Sequence, residues 1–277
     1  MPNRLAYLGP AGTHTEQACI TYDGGAACIP FATIPLVAAA VDMGRADEGM
    51  VPIENSVGGS VSATLDLLIH DSTLFIRREL VLPIKHFLLA RRGADISEIK
   101  VIFSHPQALE QCRVYLAEHF AQAEAVASMS TAAAVEEMLK RGGEAAAIGT
   151  ERAGVLYDTD ILARGIEDRP NNMTRFVVLA PKDSPRTGED KTSICFSFDE
   201  DAPGILHSVL DEFARRGINL TKIESRPTRE ELGRYIFLVD LEGHREDTLL
   251  SEALEGVRAQ VSLLKVFGSY PRHSDSR

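Results

Sequence analysis

Small polar side chains follow apolar segments in two stretches of the sequence, Val51–Val61 and Asn171–Ala180. The first reads VPIENSVGGSV and the second NNMTRFVVLA, with one arginine, Arg175, among asparagine, serine and threonine. Because apolar residues flank both stretches, we expect the polar groups to lie where buried strands end. Side chains placed in this way suit a binding site for a small, charged, oxygen-rich ligand.

Two predicted helix starts carry a second group of candidates, in the segments LGPAGTHTEQA and SHPQALEQC. Thr13 stands three residues before Glu16, and Ser104 three before Gln107, which is the spacing of a capping box. Ordinary capping explains either segment alone. Because the two helices occupy corresponding positions in two halves of the sequence, we expect both positive N-termini to face one cleft and to bind an anion there.

Two other pairs of residues leave a structural and a functional interpretation open. Asn55 and Ser56 end an apolar segment just before two glycines, a composition that ordinary turns also use. Ser130 and Thr131 begin another predicted helix, and capping accounts for them as well as a ligand contact does. Residue type and spacing do not decide between the interpretations.

Composition and charge disfavour some classes of partner. The chain has 277 residues, 44% of them hydrophobic and 25% charged, and a formal net charge of −11. These values are typical of a globular protein with two or three compact units. The negative charge, the lack of tryptophan and the aromatic content of 6% disfavour nucleic acid as a partner. An anionic substrate would need a local positive field.

Cysteine, histidine and hydropathy patterns predict neither a metal site nor a membrane segment. The four cysteines form no CxxC pair, so we expect buried, structural thiols in a reducing compartment. The eight histidines form no HExxH motif, and no apolar run is long enough to span a bilayer. The first residues lack the apolar core of a signal peptide, so we expect a cytoplasmic protein.

The elements that must position the candidate residues alternate between strand and helix over the first 180 residues, which predicts α/β layers around a mostly parallel sheet. An extended stretch, Leu74–Ala90, separates two similar halves, which rejoin near Arg164–Pro170. Helices are predicted at Thr13–Tyr22, Ile34–Met43, Ser60–Ile69, Pro106–His119, Thr131–Lys140 and Glu151–Val155. We therefore predict a bilobal domain over residues 1–181, with hinges near 76–85 and 164–172.

The rest of the chain has a different pattern. Residues 182–191 are polar, charged and without periodicity, and are predicted to be a linker. Residues 192–270 follow the order βαββαβ, which predicts a ferredoxin-like domain. The polar residues 271–277 are predicted to form a frayed tail.

Four segments, LGPAGTHTEQA, VPIENSVGGSV, SHPQALEQC and NNMTRFVVLA, occur in an order that resembles the prephenate dehydratase family. The resemblance runs from about Arg4 to Tyr270. It implies a bilobal catalytic domain like that of type II periplasmic binding proteins, followed by an ACT domain. It also implies conversion of prephenate to phenylpyruvate, with loss of CO2 and the ring hydroxyl, and without a cofactor or metal.

The resemblance assigns roles to residues of the four segments. Thr174, in the family's TRF motif, is implied to donate a hydrogen bond or relay a proton to the leaving hydroxyl; its relay partner is not identified by the sequence. Arg175 is implied to bind a substrate carboxylate. Catalytic roles are expected for Thr174, Asn55, Ser104 and Gln111. Substrate contacts are expected for Thr13, Ser56, Gln107, Thr131 and Arg175. His14 stands where the family usually has phenylalanine, and we expect a tolerated substitution beside the site.

The C-terminal domain resembles ACT domains in two segments that bind phenylalanine in this family. The expected effector-binding residues are Gly204, Ile205, Leu206, Glu224, Ser225, Arg226 and Pro227. The resemblance implies L-phenylalanine as an allosteric effector bound between two subunits. It therefore implies a homo-oligomer, either a dimer or a tetramer built as a dimer of dimers.

Two alternatives remain open. Arogenate dehydratase performs the same elimination on the aminated substrate, and a non-catalytic protein could use the same bilobal fold to bind a small anion. Turnover assays with both substrates distinguish these possibilities. No helices like those of chorismate mutase precede the first predicted strand, so we expect a monofunctional enzyme.

Overall fold

The computed structural model describes residues 3–200, 202–228 and 233–274. It divides into two compact units. The first unit comprises Met1–Val61 and Val81–Phe176, and the second comprises Ser62–Leu80 and Val177–Arg277. Residues 62–80 thus belong to the same unit as the C-terminal part of the chain. The sequence had instead predicted that they belong to a domain of residues 1–181.

The strands and helices follow in the order that the sequence indicates, with shifts of one or two residues at most ends. The strands are β1 (Arg4–Leu8), β2 (Ala27–Phe31), β3 (Glu48–Asn55), β4 (Gly59–Ser60), β5 (Phe75–Pro83), β6 (Phe87–Ala90), β7 (Val101–Ser104), β8 (Glu124–Ala127), β9 (Ala145–Gly149), β10 (Asp160–Arg164), β11 (Met173–Ala180), β12 (Asp190–Ser197), β13 (Leu220–Pro227), β14 (Tyr235–Glu242) and β15 (Leu263–Pro271). The α-helices are α1 (His14–Tyr22), α2 (Ile34–Asp42), α3 (Ser62–Asp66), α4 (Pro106–Gln111), α5 (Arg113–His119), α6 (Thr131–Arg141), α7 (Glu151–Leu156), α8 (Ile205–Ala214) and α9 (Thr248–Arg258). A π-helix, Leu67–Asp71, and a 3₁₀-helix, Ile96–Glu98, complete the described elements.

The first sheet orders its strands β2-β1-β3-β11-β5, with β4 paired to β3. β1 pairs in parallel with both β2 and β3. The following helix begins where the sequence indicates, because the Thr13 hydroxyl accepts a hydrogen bond from the Glu16 N–H. The carboxyl ends of parallel strands lie at one edge, so the residues that follow β1 and β3 are brought together there.

The second sheet has the order β10-β6-β9-β7-β8, and the alanine-rich β9 lies at its centre. β9 pairs in parallel with β7 and antiparallel with β6. Every residue of β9 is buried, and Ala147 packs with Leu89, Val135 and Met138 in one core cluster. The small side chains of β9 allow α6 to pack closely, which fixes the position of the N-terminus of that helix.

The chain crosses between these two sheets twice, at residues 84–86 and at residues 165–172. The Ile84 N–H donates to the Asn172 carbonyl at 2.8 Å, so the two crossings are hydrogen-bonded to each other. The second crossing coincides with the predicted hinge near 164–172. The first lies later than predicted, because β5 occupies most of residues 76–85.

The helix predicted at Pro106–His119 is broken at Cys112 into α4 and α5. The Asp168 carboxylate accepts hydrogen bonds from the N–H groups of Val114 and Tyr115, at 3.1 and 3.4 Å. The Asp168 N–H donates to the Gln111 carbonyl at 2.7 Å. These contacts replace the hydrogen bonds of a continuous helix, so a residue more than 50 positions away sets the end of α4.

The second unit contains the predicted βαββαβ order, which is confirmed as a four-stranded antiparallel sheet with the order β13-β14-β12-β15. Helices α8 and α9 cover one face of this sheet. The core contains Phe196 and Val239 from the strands, Phe213 from α8 and Leu250 and Val257 from α9. This burial follows the alternation of the strands and the helical spacing of the apolar residues.

Residues 62–80 contact the sheet of the second unit through backbone groups. The Lys265 ammonium donates to the carbonyls of Ile69 and Ser72, at 3.2 and 2.9 Å, and so caps the end of the π-helix. Gly268, with φ of +147°, lies against β5, where an added Cβ would be only 2.2 Å from the Ile76 carbonyl oxygen. Glycine at this position therefore permits close backbone approach.

Expectations on two connecting segments, the helix at residues 60–69 and the linker at residues 182–191, need correction. The helix predicted at Ser60–Ile69 begins only at Ser62 and continues as the π-helix, because residues 59–60 form β4. The predicted linker is held in place: the Asp183 carboxylate accepts from the Ser269 N–H and pairs with Arg245, both at 3.0 Å.

The C-terminal residues are also held further than expected. Pro271 belongs to β15, and the Arg272 N–H donates to the Glu189 carbonyl at 3.0 Å. The rest of the predicted tail, residues 275–277, lies outside the described residues, and so do residues 1 and 2.

Candidate active site

A cavity of about 620 Å³ lies in the first unit, lined by residues of both sheets and of the helices that follow their strands. Its polar lining residues include Thr13, His14, Asn55, His86, His105, Gln107, Gln111, Ser130, Thr131 and Thr174. Its apolar lining residues include Leu8, Pro52, Ile84, Met129 and Phe176. None of the lining residues in the described part of the chain is Asp, Glu, Lys or Arg. The cavity therefore offers neutral dipoles and imidazoles to a ligand.

Thr174 lies in this cavity with its hydroxyl oxygen held by an amide. The Asn55 side-chain amide donates to Thr174 Oγ1 at 2.8 Å, although the two residues are 119 positions apart in the chain. The Thr174 side chain is nearly buried, and Phe176, two residues further along β11, lines the same cavity. A hydroxyl that accepts in this way still has its own proton to donate, so Thr174 can act as a hydrogen-bond donor to a ligand.

The hydrogen bonds of Asn55 are directed mainly at the protein. Its amide also donates to Asn172 Oδ1 at 2.7 Å, and its carbonyl oxygen accepts from the N–H groups of Val57 and Gly58 at 3.0 and 2.7 Å. The Asn55 side chain therefore has little hydrogen-bonding capacity left for the direct contact with substrate that was predicted. The geometry supports a positioning role, in which Asn55 orients Thr174 and the following turn.

Arg175, which was predicted to bind a substrate carboxylate, does not line the cavity. Successive side chains of a strand point to opposite faces, so Arg175 points away from the face that carries Thr174 and Phe176. Its guanidinium pairs with the Glu54 carboxylate at 3.1 Å, and its side chain is only 11% exposed. The pair braces the neighbouring strands β3 and β11.

Neither Ser104, predicted as catalytic, nor Ser56, predicted as a substrate contact, lines the cavity. Ser104 is fully buried in β7, where its hydroxyl donates to the Ile148 carbonyl at 2.8 Å. Ser56 accepts from the Met173 N–H at 2.9 Å and does not line the cavity. Both hydroxyls satisfy backbone groups of neighbouring strands, which a local sequence pattern does not reveal.

Three helix N-termini line the cavity, including the two, of α1 and α4, that were expected to face one cleft. They are those of α1 at Thr13, α4 at His105 and α6 at Ser130. The cap of α4 differs from the expected one, because His105 rather than Ser104 accepts from the Gln107 N–H, at 3.2 Å. The aligned N–H groups create a positive potential that favours an anion.

Two histidines that meet in the cavity were not foreseen as a pair. The rings of His14 and His86 lie 5.8 Å apart, edge to face. His86 Nε2 is 2.8 Å from Gln111 Oε1, so Gln111 orients an imidazole. Burial lowers the pKa of both rings, for His14 to about 3. One sequence signal for His86 exists: it follows Lys85 and stands just before the apolar run FLLA.

A second cavity, of about 890 Å³, lies in the second unit. It is lined by Gly204, Ile205 and Leu206, the first of the two predicted effector segments, together with Phe198 and Phe237. The second segment, in β13, pairs with the lining strand β14 but does not itself line this cavity.

The charged residues of that second segment have partners of their own. Arg226 pairs with Asp66 at 3.0 Å, and Glu224 pairs with Lys222 at 3.3 Å. Ser225 and Pro227 occupy exposed positions of β13. Arg226 is therefore engaged in an ion pair within the second unit, and its role in binding the effector stays a prediction.

Two α/β lobes that enclose a polar cavity, followed by a ferredoxin-like domain, define a bilobal small-molecule protein with a module of the regulatory type. Residues 5–184 match the family model for prephenate dehydratase and residues 200–259 match that for the ACT domain. The chain therefore belongs to the prephenate dehydratase family. Both the family and the α/β architecture predicted from the sequence are confirmed.

Similar proteins support this assignment. The bifunctional chorismate mutase/prephenate dehydratase of Aquifex aeolicus (strain VF5) is 42% identical over 270 residues, which cover 97% of this chain and 74% of that protein. The crystal structure of a prephenate dehydratase from Arthrobacter aurescens in complex with L-Phe superposes with a TM-score of 0.90 at 40% identity, covering 97% of this chain and 90% of that one. GqqA, described as a novel type of quorum quenching acylase, superposes with a TM-score of 0.89 at 30% identity and covers 99% of this chain and 100% of that one.

One further property concerns membranes. In residues 3–200, 202–228 and 233–274, no helix combines the length and the apolar character that crossing a bilayer requires.

Proposed function

We propose that this chain is a prephenate dehydratase, a carbon–oxygen lyase that converts prephenate to phenylpyruvate, CO2 and water. Family membership supports the proposal, and the observation that carries it is the Thr174 hydroxyl, which accepts from Asn55 and keeps its proton for a ligand. A positioned donor of this kind assists departure of the ring hydroxyl.

The character of the cavity suits this reaction. Helix N-termini at Thr13 and Ser130 offer N–H groups to the anionic groups of the substrate, while Pro52, Ile84 and Phe176 provide apolar contacts for its ring. A fully charged clamp would stabilise the carboxylate that must leave as CO2, and binding the ground state more tightly would oppose the reaction. Neutral dipoles avoid that cost.

The same geometry weighs against acyl transfer, the chemistry named for GqqA. A hydroxyl nucleophile needs a neighbouring base that removes its proton. Thr174 Oγ1 is instead held by the Asn55 amide, which donates to it and so favours proton donation over nucleophilic attack.

Turnover of prephenate by the purified chain, followed as release of phenylpyruvate, tests the proposal. Arogenate should be assayed in parallel, since it undergoes the same elimination and would yield phenylalanine. We expect the higher kcat/KM for prephenate. A reversed preference would identify an arogenate dehydratase, and saturable prephenate binding without turnover would identify a binding protein.

We also propose that L-phenylalanine regulates the enzyme through the ACT domain, and that the active form is a cytoplasmic homo-oligomer. The match to the ACT family and the cavity beside Gly204-Ile205-Leu206 support the first part. A ligand bound between subunits shifts an equilibrium only when it prefers one quaternary state. Phenylalanine should therefore inhibit cooperatively, raise the melting temperature and change the sedimentation profile at the same concentrations.

A further inference from the structure

The proposed reaction consumes one proton in each turnover, and this balance points to a role for a histidine. Prephenate enters as a dianion and phenylpyruvate leaves as a monoanion, with CO2 and water as the other products. The Thr174 hydroxyl can donate a hydrogen bond to the departing group, but an alcohol is a weak acid and must recover any proton that it gives. A group that titrates near neutral pH is needed in the cavity.

Only three titratable side chains occur among the described residues that line the cavity, and all are histidines: His14, His86 and His105. His105 is occupied as a helix cap, because its Nδ1 accepts from the Gln107 N–H at 3.2 Å. Protonation of Nδ1 would break that cap. His14 has no orienting hydrogen bond within the described residues, and its buried Nε2 has no partner there.

His86 differs from the other two because the protein fixes both its backbone and its ring. Its N–H donates to the Glu167 carboxylate at 2.9 Å, and its carbonyl accepts from the Ile166 N–H at 3.2 Å. Its ring forms a hydrogen bond with the side-chain oxygen of Gln111. The backbone carbonyl of Gln111 in turn accepts from the Asp168 N–H. A ring nitrogen held by one partner leaves the opposite nitrogen aimed in a defined direction.

The opposite nitrogen of His86 is the atom available to a ligand. Nδ1 is buried and has no hydrogen-bond partner within the described part of the chain, although the side chain lines the cavity and is only 2% exposed. A buried nitrogen without a partner is costly in a folded protein. A hydroxyl group or a water molecule in the cavity would satisfy it.

We propose that His86, oriented by Gln111, is the proton donor to the leaving hydroxyl, directly or through Thr174. In this step, which depends on the proposed function, the Nδ1–H bond of the imidazolium breaks as a new O–H bond forms. The C–O bond breaks, and the electron pair of the bond to the departing carboxylate enters the ring. The products are phenylpyruvate, CO2, water and neutral His86, which then takes up a proton from solvent.

The charges around His86 make this protonation depend on the substrate. Burial disfavours the imidazolium of His86, whereas the hydrogen bond to Gln111 and the Glu167 carboxylate favour it. Burial is the larger effect on His86 and lowers its pKa, so the ring is neutral at pH 7 without a ligand. A bound dianion adds negative charge beside the ring and raises its pKa. Substrate binding therefore favours protonation of His86, which supplies the proton that the reaction consumes.

The test compares His86→Gln with wild type, and uses His119→Gln as a control outside the cavity. We expect His86→Gln to lower kcat by about 10²–10⁴-fold, the usual worth of a positioned acid, while KM changes only a few-fold. In wild type, kcat should fall as pH rises through the pKa of His86 in the complex, and this fall should be absent from the variant. His119→Gln should behave as wild type. A His86→Gln variant with kcat within threefold of wild type and the same pH profile would overturn the proposal.

A second measurement does not depend on turnover or on the folding of a variant. NMR of ¹⁵N-histidine-labelled wild type should show the pKa of His86 rising when benzylmalonate, an unreactive aromatic dianion, saturates the cavity. An unchanged His86 resonance at saturation would also refute the proposal. Wild type that fails to turn over prephenate rejects the proposed function, whereas active wild type with an unaffected variant rejects only the role of His86.

Discussion

Two regions of the molecule join distant parts of the chain with different polar groups: the cavity of the first unit uses neutral groups, and the sheet of the second unit uses charged ones. In the cleft, the amide of Asn55 joins β3 to Thr174 of β11. In the second unit, charged pairs join distant segments. Lys191 pairs with Glu79 at 2.8 Å, and both side chains are largely buried. The cleft must accommodate a change of charge during reaction, which fixed neutral dipoles allow. The second unit has to hold an inserted segment in place, for which paired charges are suited.

The comparison predicts that the largest effect comes from removing the hydroxyl in the cleft. Thr174→Ala should lower kcat by about 10²–10⁴-fold, because the reaction loses its positioned donor, while KM changes little. Thr174→Ser keeps the hydroxyl and should retain most of the activity. Steady-state kinetics with prephenate provide the measurement. Near-normal turnover by the alanine variant would remove Thr174 from the mechanism.

In the second unit, the corresponding loss should affect stability rather than chemistry. Lys191→Met removes a cation from the buried Glu79 carboxylate and should lower the free energy of unfolding by about 3–5 kcal/mol. Lys100, which pairs with Glu144 at the exposed surface, offers a matched control, and Lys100→Met should change stability little. Urea unfolding of the variants measures the difference. Equal effects of the two substitutions would contradict the assigned importance of burial.

A substitution of similar shape separates the two functions of Asn55. Asn55→Asp keeps an acceptor for the Val57 and Gly58 N–H groups, but it cannot donate to Thr174. The Thr174 hydroxyl would then donate to the carboxylate rather than to substrate. We expect kcat to fall roughly ten- to hundredfold, in line with about 1.5–3 kcal/mol for a hydrogen bond to a charged group. Unchanged kcat with a stable fold would show that Asn55 does not orient Thr174.

The smallest predicted effect concerns regulation. Asp66, at the end of α3, pairs with Arg226 of β13 at 3.0 Å, and only four residues separate Asp66 from Val61 of the cavity lining. If phenylalanine acts through the ACT domain, Asp66→Asn should raise the inhibitory concentration about fivefold or more, which is the range of typical allosteric couplings. Uninhibited turnover should stay within about twofold.

The control for this prediction is Glu242→Gln, which removes an exposed pair with Arg272 in the same sheet. Its inhibition by phenylalanine should match that of wild type. Equal inhibition of the Asp66→Asn variant and wild type would exclude the ion pair from the regulatory response.

Local patterns predicted the elements well because the forces that form them are local. The Thr13 cap is confirmed, and so is the βαββαβ order of the second unit. The break at Cys112 was missed because its cause is Asp168, which is remote in sequence. The inclusion of residues 62–80 in the second unit was missed for a similar reason, since contacts such as Lys265 with the end of the π-helix join distant segments.

The candidate site was predicted in part. Thr13, Asn55, Gln107, Gln111, Thr131 and Thr174 line the cavity as expected, whereas Ser56, Ser104 and Arg175 do not. His86 was missed because a single histidine beside an apolar run has no motif. Its importance depends on Gln111, a partner 25 residues away.

The sequence by itself determined that β11 would be a strand beginning with polar residues, and therefore that Thr174 and Arg175 would point to opposite faces. It also determined the family, through motifs spread over most of the chain. Only the tertiary structure decided which face meets the cavity, because that depends on how β3 and β11 pair and on what packs against each side. This pairing and packing place the hydroxyl of Thr174 in the cavity and the guanidinium of Arg175 against the Glu54 carboxylate.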